Sequence, residues 1–173
     1  MENERIEKAV ELFKEGFNCS QSVVAAFADK YGFTHEQALR MSASFGGGIG
    51  RMRETCGAAC GLFMLAGLET GSTEGADSKG KAANYALVQE LAEEFKQRNG
   101  ALRCADLLGL SKKEPIVSTP EARTNQYYAK RPCVKMVEEA ARFWCEYLEK
   151  QGKLSGFSFV FVLYNIKFVS LHR

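Results

Sequence analysis

Through residue 150, apolar residues recur at helical spacing, and each run is cut by a cap or a stop. That pattern leaves little besides an all-α fold. Ile6, Ala9, Val10 and Phe13 mark a helix from Glu4 that Gly16 ends. Asn18 is placed to cap a second helix running to about Lys30, and Thr34-His35-Glu36-Gln37 forms a capping box for a third. The run Gly46 to Gly50 breaks that third helix after Phe45. Thr55 can cap a fourth, to about Leu68, and Lys79 to Arg98 is the clearest amphipathic stretch. Leu87, Leu91 and Phe95 share its apolar stripe, and Asn99-Gly100 ends it. Cys104 begins a short helical piece ending at Leu108-Gly109. Lys112 to Tyr128, holding Pro115 and Pro120, is expected to be a long loop. Pro132 suits the first position of a last helix, to about Lys150. The expectation is a single-domain helical bundle of about six helices over residues 1–150.

Residues 151–173 differ in style. Leu154 to Ile166 carries no acidic or basic residue and is dense in Phe, Val, Leu and Tyr. It is too short for a membrane span, which needs roughly 20 apolar residues. The stretch is expected to be an irregular or strand-like extension added to the helical domain.

Six cysteines in 173 residues fall far below a disulfide scaffold. The chain opens into a charged helix with no apolar targeting segment, so a reducing cytoplasm is the expected compartment. A formal net charge of +2 gives no electrostatic case for nucleic acid, and the aromatics do not interleave with basic residues. Cysteines kept in such a setting serve as core filler, metal ligands or redox thiols.

Cys19, Cys56, Cys104 and Cys133 all fall in the first turn of an expected helix. There, unpaired backbone N–H groups and the helix dipole stabilise a thiolate. Arg53, Arg103, Lys130 and Arg131 flank several of them, and cations lower a thiol's pKa. Cys145 lies mid-helix and is expected in the core. Cys60, one turn after Cys56, could add a ligand or could be a small apolar residue beside Gly57 and Gly61. The four sites lie far apart in sequence, and no C-x-x-C occurs, so neither a thioredoxin-like dithiol nor a zinc ribbon is indicated. Four thiolates brought together by folding could hold a 2Fe–2S cluster or a tetrahedral zinc ion. Two pairs could instead cycle between thiol and disulfide with no cofactor. The glycine run lacks a Gly-Lys-Ser/Thr and a preceding strand, which rules against a phosphate loop. It is expected to be a tight turn that lets backbone approach the Cys56 site. His35 and His172 are poor candidates for a catalytic pair.

At these residues the chain resembles the redox-active family named C_GCAxxG_C_C after its cysteine pattern. The matching pieces are Phe17-Asn18-Cys19-Ser20-Gln21-Ser22 and Gly46-Gly47-Gly48-Ile49-Gly50, leading to Cys56-Gly57-Ala58-Ala59-Cys60-Gly61. Cys104 with Leu107-Leu108-Gly109, and then Cys133, complete the pattern. Cys60 fills a variable position in that comparison, and Cys145 falls outside it. The resemblance implies redox activity, and a similar domain in split-Soret-type cytochromes is associated with an iron–sulfur centre. This chain has no C-x-x-C-H for covalent haem. The expected function is electron transfer to a partner protein through a cluster on Cys19, Cys56, Cys104 and Cys133, with Gly48 and Gly57 contributing to the site. No nucleic acid and no transmembrane segment are expected, and a homodimer is open. Zinc, or thiols alone, are the alternatives.

Overall fold

The computed structural model describes residues 2–111 and 115–154. Eight α-helices occur among them: α1 (Glu2–Lys14), α2 (Cys19–Ala26), α3 (His35–Ser42), α4 (Gly57–Thr70), α5 (Ser78–Asn99), α6 (Cys104–Leu107), α7 (Asn125–Lys130) and α8 (Cys133–Lys150). The all-α expectation holds among the described residues. The stretch expected to be a loop up to Tyr128 ends instead in α7, which Thr124 opens by accepting a hydrogen bond from the Tyr127 amide at 3.2 Å. The apolar tail falls outside the described residues beyond Leu154, as does His172.

Helix ends follow their caps. At Asn18 the capping box is complete: its side chain accepts from the Gln21 amide, and Gln21 accepts from the Asn18 amide, each at 3.0 Å. Thr34 and Gln37 repeat the arrangement for α3. Two expected helices stop short and tighten into 3₁₀ turns, at Ala28–Tyr31 after α2 and at Ala43–Phe45 after α3.

α4 is apolar nearly all round and packs against α2, α5 and α8, while α1 closes against α2 and α8. Phe13, Phe27, Leu62, Leu65, Phe95, Phe143, Trp144 and Leu148 form the core between them. Cys145 lies in that core with no exposure, where mid-helix spacing put it. The core has a consequence for the sulfurs. It holds α2, α4 and α8 side by side with their first residues at one end of the bundle.

Candidate functional site

Each of the four cysteines stands at a helix start. Cys19, Cys104 and Cys133 are the first residues of α2, α6 and α8. Cys56 is the N-cap residue of α4, one position earlier than a Thr55 cap would put it. Pro132 likewise caps α8 and does not open it. All four line one cavity of about 270 Å³, together with Gly46, Gly57, Tyr127 and four arginines, Arg51, Arg53, Arg123 and Arg131. Neither Cys60 nor His35 lines it. The Cys60 thiol points instead at the Thr55 carbonyl, 3.8 Å away, and His35 packs edge-on against Phe17.

Backbone pairing sets the sulfurs in place. The segments before α4 and α6 run antiparallel and bridge at Thr55 and Arg103. The Cys56 amide donates to the Leu102 carbonyl at 2.9 Å, and the Cys104 amide donates to the Glu54 carbonyl at 2.6 Å. Cys56 and Cys104 are thereby locked to each other although most of the domain's central sequence separates them. Gly57 does the same for Cys19: a Cβ there would stand 3.2 Å from the Cys19 Cβ and 2.8 Å from the Phe45 carbonyl oxygen. Only a residue without a side chain lets α2 approach α4 so closely.

The glycine run is a left-handed turn. Gly47, Gly48, Ile49, Gly50 and Arg51 all have positive φ, and so does Arg53. L-residues rarely hold this conformation, and each of Ile49, Arg51 and Arg53 costs about 1–2 kcal/mol there. Hydrogen bonds from Gly50 N–H to the Ser44 carbonyl at 2.6 Å and from Glu54 N–H to the Gly48 carbonyl at 3.1 Å close the turn. The start of the turn brings backbone to the Cys56 site, with the Gly46 Cα 3.4 Å from where a Gly57 Cβ would stand, and the turn also brings backbone against Cys104. Gly48 backs Cys104, whose Cβ would lie 2.6 Å from an added Cβ, and it does not itself line the cavity.

The turn also aims two guanidinium groups inward. Arg51 and Arg53 project from left-handed positions into the cavity wall, and Glu121 pairs with both at 3.7 Å and with Arg131 more closely. Arg123 stacks on Phe13 and Tyr127 and donates to the Phe17 carbonyl at 3.2 Å. Sequence context singled out Arg53 and Arg131, but not Arg51 or Arg123, whose distance from any cysteine gave no signal. Arg103 turns away from the cavity and pairs with Glu54 at 3.3 Å.

Electrostatics divide the thiols. With the Cys19 thiol beside it and Arg131, Arg123 and Arg53 nearby, Cys133 is held down at about 7 despite burial. The neighbouring Cys133 and burial push Cys19 well up. Burial pushes Cys56 up to about 12, although the Ala58 and Ala59 amides face its sulfur and oppose the shift. Burial likewise raises Cys104 against the pull of Arg53, and raises Cys60 to about 11. Among the described residues no three Cys, His, Asp or Glu side chains close on one point as a single metal ion requires. Tetrahedral zinc would need the sulfurs about 3.8 Å from one another, from Zn–S bonds of about 2.3 Å.

The model of the family described as "Putative redox-active protein (C_GCAxxG_C_C)" matches residues 17–147. No curated protein and no solved structure matches the chain significantly. No helix among the described residues is long and apolar enough to cross a membrane.

Proposed function

The chain belongs to the C_GCAxxG_C_C family of redox-active proteins, and on that premise we propose that Cys19, Cys56, Cys104 and Cys133 hold a 2Fe–2S cluster for electron transfer. The observation that carries this reading is the convergence of four helix-start cysteines, three of them buried, on one cavity. The donor set fits. Four thiols line one cavity, the number of protein ligands that a 2Fe–2S cluster takes. About 270 Å³ is several times the roughly 30 Å³ share of a single water. When bound, such a cluster supplies one-electron oxidation and reduction. The chain's own residues do the rest. Arg53 faces Cys104, and the Ala58 and Ala59 amides face Cys56, so positive charge and N–H dipoles favour anionic sulfur. Tyr127, Leu107, Leu108 and Met136 narrow access to water.

Anaerobic isolation of the full chain should give a coloured protein containing iron and acid-labile sulfide, lost in Cys56→Ser. A colourless, metal-free protein with its helical circular dichroism intact refutes the cluster.

One observation favours a second reading. Cys19 and Cys133 line the same cavity, and the Cys19 thiol together with Arg131, Arg123 and Arg53 holds Cys133 down at about 7, so that part of it is thiolate near neutral pH. The Cys133 thiolate would attack a disulfide of a partner protein to form a mixed disulfide, releasing one partner thiolate. Cys19, losing its proton, would then displace the second, leaving a Cys19–Cys133 disulfide here and two thiols on the partner. The signature is a reversible loss of two hydrogens, confined to those two residues.

A further inference from the structure

Arginine, more than sulfur, dominates the charge of the cavity wall. The side chains of Arg51, Arg53 and Arg131 are only 17%, 18% and 17% exposed, and all three are directed at one atom, Oε1 of Glu121. Their needs are not met there. Arg131 alone is within hydrogen-bond reach, while Arg51 and Arg53 stand off at 3.7 Å. Arg51 Nε is satisfied separately by the Val117 carbonyl at 2.9 Å. Each guanidinium offers five N–H donors, whereas a carboxylate accepts about four bonds and cancels one charge. Arg123, the fourth arginine, is spent on the Phe13 carbonyl in the last turn of α1 and the Phe17 carbonyl just beyond it. Glu121 itself is 46% exposed, on a stretch without regular structure. It is a loosely fitted anion in a nest built for a better one.

We propose that Arg51, Arg53 and Arg131 form a binding site for a tetrahedral oxyanion, free or carried on a small molecule, and that Glu121 is the internal occupant the ligand displaces. A tetrahedral oxyanion presents an oxygen to each of three guanidinium groups, which one carboxylate oxygen cannot do. Arg53 and Arg131 also stand close to Cys104 and Cys133, so the bound anion lies beside the sulfurs. The site goes beyond the redox reading and does not depend on whether the sulfurs hold a cluster or exchange disulfides. The adjoining cavity has room for a small organic group attached to the anion.

The test is calorimetric titration of the full chain, as isolated, with inorganic phosphate and with methyl phosphate, in a low-salt buffer free of other oxyanions. Wild type should bind, and Glu121→Gln should bind at least about threefold tighter because the competing carboxylate is gone and more of the protein is binding-competent. Arg51→Gln, which keeps the Cys104 and Cys133 neighbours intact, should bind at least about tenfold more weakly. Tighter binding of methyl phosphate identifies a carried anion, and tighter binding of inorganic phosphate a free one; either supports the site. No binding by wild type or Glu121→Gln up to about 10 mM overturns it. So does a Glu121→Gln variant that binds no tighter than wild type. If Arg51→Gln fails to fold, Glu121→Gln decides alone, since its exposed side chain supports no core contact.

Discussion

If the left-handed turn exists to admit Cys104, two alanine substitutions in it should differ in a way that isolates the contact. In Gly48→Ala the new Cβ would meet Cys104 Cβ at 2.6 Å, the Glu54 nitrogen at 2.8 Å and the Arg53 carbonyl carbon at 2.9 Å. Two of these three neighbours are backbone held by the bridge to α6, so they cannot simply swing away. Overpacking of this kind costs about 1–3 kcal/mol. The residue also sits at φ +76, where a side chain costs about 1–2 kcal/mol more. The total is roughly 2–5 kcal/mol.

Gly50→Ala supplies the control. Its φ of +55 carries the same strain, but the nearest atom to a new Cβ is the Ser44 carbonyl oxygen at 4.0 Å. Only about 1–2 kcal/mol is expected there. The stiffening of the unfolded chain by alanine is common to both variants and cancels in the comparison. The difference, about 1–3 kcal/mol, belongs to the approach to Cys104. Urea unfolding followed by far-ultraviolet circular dichroism reads it directly. At a slope of about 2 kcal/mol/M, Gly48→Ala should unfold roughly 0.5–1.5 M earlier than Gly50→Ala. Alkylation of Cys104 should also quicken in Gly48→Ala alone. Equal midpoints with equal slopes would refute the idea that Gly48 is required by sulfur packing and not merely by the turn.

In metal-free protein, iodoacetamide labelling mapped by mass spectrometry should modify Cys133 first, with a half-maximal rate near pH 7, and Arg131→Gln should move that midpoint upward. A midpoint near that of an ordinary thiol in wild type would contradict the arginine account. Alkaline stability carries a separate sign. Cys56 and Cys19 ionise less readily folded than unfolded, so the unfolded chain releases protons first as pH rises past about 9. Their contribution is intact below the unfolded pKa and is lost as pH climbs toward 12, where Cys56 titrates in the fold. Metal-free protein should therefore lose thermal stability above about pH 9, and Cys56→Ala should flatten that decline. Cys133, lowered to about 7, works in the opposite sense between roughly pH 7 and 9, where the folded state holds fewer protons.

The helices and the four sulfurs were legible because both rest on local rules. A cap residue, an apolar stripe and a stop decide a helix within a few residues of themselves. Asn18, Thr34 and Gly100 act in the structure as their types imply. α7 was hidden because Pro115 and Pro120 mark a loop and its six residues are too few for a stripe to show. The arginine cluster was hidden for a different reason. Arg51 reaches the cavity only because its own φ is +63, a conformation that sequence propensity assigns to glycine. Glu121 meets it from a segment whose path no local pattern fixes. The two facts bear on each other. A turn that needed only to reverse the chain could use glycine at every left-handed position, yet Ile49, Arg51 and Arg53 occupy three of them. At Arg51 and Arg53 the strain has an identifiable return, since a guanidinium there faces inward from the same turn that seats Gly48 against Cys104. The glycine run thus fixes a sulfur position and a charge position in one piece of backbone, and a substitution that relaxes the turn should disturb both together.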